Sequence, residues 1–266
     1  MEIIKILLLS LVEGFTEFIP VSSTGHMLIL NEYIGYDEVS ADTFIIFIQL
    51  GAILAAVFVY WEKFVLLIPR PGRFKEIVYS ESFPSYTHII LACLPVMVGG
   101  LLFYKQIKTV LFNPQSVSVA LVAGGIAMIL AERYAKGRVE KVEQITPMQA
   151  LGVGLFQCFA LIPGMSRSGS TIIGSLILGI KLRPAVDFSF IIAVPVMTAA
   201  VSYELYKSMG MLSTADIPAF LLGFGASFFF ALVSIRWFLK ILARVPLAAF
   251  GGYRILLGLA VLLLSS

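Results

Sequence analysis

Two carboxylates four residues apart, three consecutive hydroxyls and a histidine crowd into EGFTEFIPVSSTGH, residues 13–26 of a chain that is otherwise strongly apolar. On a helix, Glu13 and Glu17 share one face, because positions i and i+4 project together. Two like charges that close in a low dielectric repel, so one takes up a proton or a cation sits between them. Carboxylate oxygens with few other ligands, beside a phosphate, suit Mg²⁺ or Ca²⁺. Glu13 and Glu17 are therefore candidate metal ligands; the alternative is a pair facing solvent at an outer rim. Pro20 suits a break in the helix, and the hydroxyls of Ser22, Ser23 and Thr24 can cap a helix that follows. Capping does not account for His26. A histidine three residues after a serine and near two carboxylates fits a proton-transfer group or a nucleophile; a structural imidazole is the plainer alternative. The other histidine, His88, begins an apolar stretch beside a loop and reads as structural.

A second polar stretch, PGMSRSGST at 163–171, has complementary chemistry. Arg167 is flanked by Ser166 and Ser168, with Ser170 and Thr171 close by. Pro163 and Gly164 open a turn, and small and apolar residues continue as a helix. A helix N-terminus with free N–H groups, hydroxyls and a guanidinium is an anion site, and arginine grips phosphate oxygens through two parallel bonds. Arg167 could instead pair internally with Glu13 or Glu17, which would still join the two stretches. A cation site, a hydroxyl with an imidazole and an oxyanion clamp together suit phosphoryl transfer or phosphate-ester hydrolysis. Ser23, His26 and a metal-activated water all remain open as the nucleophile.

The elements that carry these groups belong to a membrane protein. Only 13% of the 266 residues are charged, against about 25% in soluble domains, and mean hydropathy is +0.96. The net charge of +3 is small and mostly in loops, which reads as a topology signal and not as a nucleic-acid surface. Cys93 and Cys158 lie inside apolar runs as small hydrophobes. No cleavable signal peptide is evident. Since about 20 apolar residues cross a bilayer, six spans are expected, at about 43–61, 88–104, 117–133, 188–206, 217–238 and 247–264. Stretches 1–35 and 148–180 are broken midway by Pro, Gly, Ser and Thr. Irregular backbone at membrane depth needs protein or a wet cavity around it, so both read as re-entrant hairpins. Basic loops at 62–76, 133–141, 181–183 and 236–244 go to the cytoplasm, with Lys105 and Lys108 as exceptions. The first hairpin then enters from outside, the second from the cytoplasm, and both termini are external. The substrate expected in such surroundings is an amphiphile with a phosphate head.

An offset of about 144 residues partly matches the chain to itself from Leu11 to Lys63. Glu13 meets Gln157, Ser22 meets Ser166, Gly25 meets Gly169 and Gly35 meets Gly179. Two interrupted segments in corresponding places point to a site where the repeats meet, and their opposite sides of entry make the repeat inverted. The expected fold is one all-α membrane domain, 1–266, with six transmembrane helices and two re-entrant hairpins in an inverted-topology repeat of halves 1–133 and 148–266. This architecture also occurs in transporters, so moving a lipid phosphate or small anion is the competing function. Gly99, Gly100, Gly124 and Gly125 would permit close helix packing, which leaves a homodimer open.

In VEGFTEFIPVSSTGH and PGMSRSGST, with FIQLGAILA at 47–55 and FSFIIAVP at 188–195, the chain resembles the bacterial undecaprenyl-diphosphate phosphatase family, the group tied to bacitracin resistance. The likeness runs along essentially the whole chain. It implies a multi-pass enzyme of the bacterial inner membrane, opening to the outer face, that removes the terminal phosphate of a polyprenyl diphosphate lipid and recycles the carrier for peptidoglycan synthesis. It also implies roles. Glu13 and Glu17 would do metal and acid–base work, Ser23 and His26 would sit at the reaction centre, and Arg167 would hold the diphosphate. Ser166, Ser168 and Thr171 would support it, with the hydroxyls of Ser22 and Thr24 as further substrate contacts.

Overall fold

A computed structural model describes residues 2–35, 41–68, 78, 83–208 and 214–264. Among them the chain is helical, with no strand and one isolated bridge between Val139 and Ile180. Helices α1 (Glu2–Thr16) and α2 (Ser23–Ile34) form one helix–turn–helix unit. Helices α3 (Ala41–Val59), α4 (Trp61–Leu66), α5 (Tyr86–Leu102) and α6 (Pro114–Tyr134) follow. A second unit joins α7 (Pro147–Gln157) to α8 (Arg167–Ile177) through a 3₁₀ turn, Cys158–Leu161. The long helices α9 (Leu182–Ser208), α10 (Ile217–Ile241) and α11 (Leu247–Leu264) complete the chain.

The helix starts are written locally. Asn113 accepts from the Ser116 amide ahead of Pro114, and Thr146 and Gln149 form a reciprocal capping box around Pro147. Each satisfies amides that a helix leaves open in its first turn, where proline costs nothing. Ser85 caps α5 by accepting from the amide of His88. The His88 ring is buried between the Ser85 hydroxyl and the Ile145 carbonyl, so it is the structural residue expected.

Among the described residues four helices are long and apolar enough to cross a membrane: α6, α9, α10 and α11. A fifth is reached if α5 and the segment Tyr104–Leu111, bent by 70° from it, count as one span. The described apolar part of α3, Thr43–Val59, is shorter. The protein is thus a multi-pass, all-helical membrane protein, and its burial pattern agrees. Outer faces carry Phe58, Leu101, Phe229 and Leu256, all more than half exposed, while Ser175, Ser189, Ser234, Gln157 and Arg254 are fully buried. Apolar groups outside and polar groups paired inside is the arrangement a hydrocarbon solvent selects.

The expected basic loops gather at one end of the bundle. Tyr60 donates to Asp187 at 2.6 Å, Lys63 pairs with Glu143, and Lys181 pairs with Glu140. Arg183 reaches Asp187 and the Leu239 carbonyl. Arg70, Arg73 and Lys75 lie outside the described residues.

Small residues bring the helices together inside the chain. A Cβ on Gly51 of α3 would lie 2.3 Å from the Phe224 carbonyl oxygen of α10, and one on Gly125 of α6 would lie 2.5 Å from that of Gly251 in α11. Gly99 and Gly100 face Leu161, and Gly124 faces Arg254. Gly99, Gly100, Gly124 and Gly125, expected from the sequence to permit close helix packing, make such contacts within the chain. Because rigid backbone cannot yield to the added methyl, Gly51→Ala should cost about 2 kcal/mol. Heating the purified variant in detergent checks this, as an earlier loss of monodisperse protein.

Candidate active site

The first tip is the turn between α1 and α2. Helix α1 closes with the Glu17 amide on the Glu13 carbonyl at 3.0 Å, which keeps both carboxyls on one side. Ser22 then takes φ +71°, a left-handed conformation uncommon for a residue with a Cβ. Its hydroxyl accepts from the Gly25 amide, and its carbonyl receives His26 Nδ1 at 2.8 Å. The second tip repeats the device. Ser166 has φ +69°, its hydroxyl accepts from the Gly169 amide at 3.1 Å, and its carbonyl receives the Ser170 hydroxyl at 2.9 Å. Gly35 and Gly179, both at positive φ, end the helices that follow. These are the same pairs of positions that the sequence offset aligns.

The tips meet. Arg167 Nη2 lies 3.3 Å from Glu17 Oε1, and the Ser23 hydroxyl donates to Glu17 Oε2 at 2.8 Å. One carboxylate thus holds the guanidinium of one tip and the hydroxyl of the other. The side chains of Arg167 and Glu17 are only 10% and 9% exposed. The Ser168 hydroxyl adds a second bridge, to the Ile19 carbonyl at 3.3 Å. Arg167 is therefore paired internally, the alternative left open by the sequence, and the pair helps to join the two tips.

Around that contact the side chains divide into holders and free groups. Arg167 Nη1 donates to the carbonyl and hydroxyl of Ser189 on α9, and the guanidinium lies over the Phe18 ring at 5.4 Å. Thr171 is fully buried and shares a 2.6 Å hydrogen bond with the Ser189 hydroxyl. It braces the Arg167 anchor and is not an open ligand group. Ser168 is also fully buried. Ser166 bonds to Ser168 at 3.1 Å, and Thr24 lies half-buried in the first turn of α2. Two groups are unmet: Arg167 Nε and Glu13 Oε1 are buried without a partner. The Glu13 carboxyl faces that of Glu17, an acceptor-only pair that needs a proton or a cation between its oxygens. Among the described residues no group of three or more His, Cys, Asp or Glu could hold a metal. A cation here would have two carboxylates from the protein and would complete its shell elsewhere.

The His26 ring makes its hydrogen bonds outside this cluster. Its ring nitrogens are taken by the Ser22 carbonyl and by the Tyr253 hydroxyl of α11 at 2.7 Å. Sequence reasoning missed Tyr253, Ser189 and Arg254. Arg254 had a signal, a lone charge inside the apolar run 247–264. It is fully buried, and its Nη2 donates to the carbonyls of Gly164, Met165 and Ala120, at 3.1, 2.8 and 3.3 Å. It binds the second tip to α6 and α11. Ser189 and Tyr253 are ordinary residues of helices, and only packing reveals them.

An apolar helical bundle closed around two facing polar tips, one acidic and one basic, defines a polytopic membrane protein with an internal charged site. The chain belongs to the family described as bacitracin resistance protein BacA, which matches residues 6–260. It is 45% identical over 268 residues to the undecaprenyl-diphosphatase of Geobacillus thermodenitrificans (strain NG80-2), covering 97% of this chain and 96% of that protein. It is 42% identical over 265 residues to the one from Variovorax paradoxus (strain S110), covering 98% and 94%. The undecaprenyl-diphosphatase of Albidiferax ferrireducens (strain ATCC BAA-621 / DSM 15236 / T118) is 42% identical over 266 residues, with the same coverage.

A Cβ on Gly169 would stand 2.7 Å from Arg254 Nη1 and 3.3 Å from the Ser166 hydroxyl. Gly169→Ala should therefore push the guanidinium off the tip carbonyls and lower both stability and activity. Leaving buried polar groups unpaired costs about 1–3 kcal/mol, to be read from thermal unfolding in detergent.

Proposed function

We propose that this protein hydrolyses undecaprenyl diphosphate to undecaprenyl phosphate and inorganic phosphate, recycling the lipid carrier of cell-wall synthesis. The observation that carries the reading is the shared carboxylate: Glu17 holds Ser23 at 2.8 Å and Arg167 at 3.3 Å inside an apolar bundle. The names of the relatives, at 42–45% identity over nearly the whole chain, support the substrate. The matching left-handed serines and caps support an inverted repeat with halves 1–133 and 148–266. They support hairpins at about 1–35 and 148–180 that dip into the membrane without crossing it. The cluster of basic loops supports placing that end in the cytoplasm, in the inner membrane, with the site opening to the outer face.

The residues divide the work as follows. Arg167 turns its fork from Glu17 to the oxygens of the terminal phosphate, an exchange of one oxyanion pair for another. Glu17, relieved of the guanidinium, becomes a better proton acceptor. It takes the proton of the attacking group: a water, or Ser23 Oγ, in which case the phosphoryl group rests on the serine until a water deprotonated by Glu17 attacks it and returns the serine. The bond broken is the phosphoric anhydride P–O bond. The bridging oxygen leaves with the lipid, and the oxygen of water ends on inorganic phosphate. Amides at the α8 N-terminus and the Ser166 hydroxyl face the charge that builds on the phosphoryl oxygens, and Ser168 and Thr171 hold Arg167 and its helix in place. His26 handles a proton in the chemical step, and Ser22 fixes its ring. Ser22 and Thr24 also border the substrate's path.

A divalent cation, Mg²⁺ or Ca²⁺, fits the unmet Glu13 Oε1 beside Glu17. These two residues would hold it, with phosphate oxygens and water completing its shell. It would supply positive charge against the developing negative charge of the transition state.

Phosphate release by purified protein in detergent tests the proposal. Lipid movement in vesicles without phosphate release would support a transporter and overturn it. Arg167→Ala should lower kcat/KM at least about a hundredfold, or about 3 kcal/mol, and Arg167→Lys should recover only part, since charge returns without the fork. For the cation, chelator should abolish turnover and added Mg²⁺ or Ca²⁺ should restore it. Full activity in chelator, or in the Glu13→Gln/Glu17→Gln double variant, would remove the metal from the mechanism.

A further inference from the structure

The imidazole of His26 has no free nitrogen. Nδ1 lies 2.8 Å from the Ser22 carbonyl oxygen, which can only accept, so Nδ1 carries the hydrogen. That leaves Nε2 as the nitrogen whose proton can come and go. Nε2 lies 2.7 Å from the Tyr253 hydroxyl, and the two rings stack with centroids 5.6 Å apart and planes within 16°. The phenol is close to half exposed, while the imidazole is half-buried and held at Nδ1 by the Ser22 carbonyl just before α2. A phenol can donate to a neutral Nε2 and accept from a protonated one. It therefore holds the ring in one orientation through both protonation states, which a carbonyl or an amide could not do.

We infer that Tyr253 is the positioning residue of His26: its hydroxyl fixes the reactive Nε2 and stands between that nitrogen and whatever exchanges a proton with it. The inference rests on the reading that His26 acts in the chemical step. Tyr253 neighbours Arg254, whose side chain grips the carbonyls of the second tip. One turn of α11 thus orients a group of the first hairpin and anchors the second. Ordering the imidazole before substrate arrives spares that cost during turnover.

Tyr253→Phe keeps the ring and the stack and removes only the hydroxyl. Phosphate release from undecaprenyl diphosphate by the purified variant should show kcat reduced about tenfold, the factor that one lost hydrogen bond to the ring brings, with KM within about twofold. In a His26→Gln background the same change should alter kcat by less than about twofold, because residues that act through one another are not additive. A normal kcat for Tyr253→Phe, or a raised KM with kcat intact, would overturn the positioning role. So would a loss in the His26→Gln background as large as in the parent. Normal hydrolysis by His26→Gln alone would sink the reading of His26 itself, and is distinguishable because it does not involve Tyr253. Tyr253→Leu, which also removes the stack, should lose more kcat than Tyr253→Phe while unfolding at the same temperature; equal losses would show that the hydroxyl alone positions the ring.

Discussion

A guanidinium and a carboxylate 3.3 Å apart in an apolar bundle hold this structure to its shape. Removing both charges from water costs several kcal/mol each, and their attraction offsets this only when the remaining hydrogen-bonding capacity is also met. The surroundings are arranged to meet much of it. Ser23 takes the second oxygen of Glu17, and Ser189 takes the other arm of Arg167. Phe18 lies against the guanidinium face, and Phe18, Phe190 and Met197 belong to the main apolar core. Neither tip could keep its charge at that depth alone, so each needs the other. Two segments 150 residues apart are joined by that requirement.

Among the described residues six buried polar side-chain atoms lack a partner, and two of them belong to the charged residues of the tips. Nearly all buried polar atoms in proteins find a partner, yet Glu13 Oε1 and Arg167 Nε do not. One is an acceptor and the other a donor, each on a charged side chain of one tip. The same interior that makes these groups costly to leave bare makes a ligand's charges valuable when they arrive, since electrostatic interactions strengthen as the dielectric falls. The contact aligns the two charges without filling every valence.

The serines at 22 and 166 show how the backbone serves this arrangement. Both sit at positive φ, both cap the helix that follows, and both carbonyls receive the side chain four residues on. In the first tip that side chain is His26, in the second it is Ser170. One local conformation has thus been given an imidazole on one side and a hydroxyl on the other, and the acidic and basic residues differ between the tips in the same way. The strain of a left-handed serine is tolerated because the surrounding hydrogen bonds leave no alternative.

Much was legible in the amino-acid sequence because it depends on neighbours along the chain. Hydropathy marked the long helices, and Pro, Gly and Ser marked the breaks. The four-residue spacing put Glu13 with Glu17, and the offset aligned Ser22 with Ser166. The tertiary structure alone decided which long-range partners those groups take. It gave Arg167 to Glu17, Thr171 to Ser189, and His26 to Tyr253. It also turned Gly124 and Gly125 inward, the former to make room for the buried Arg254. The physical reason is that periodicity and turn chemistry are local properties of the backbone. A hydrogen bond across 150 or 227 residues exists only once packing has brought two helices together.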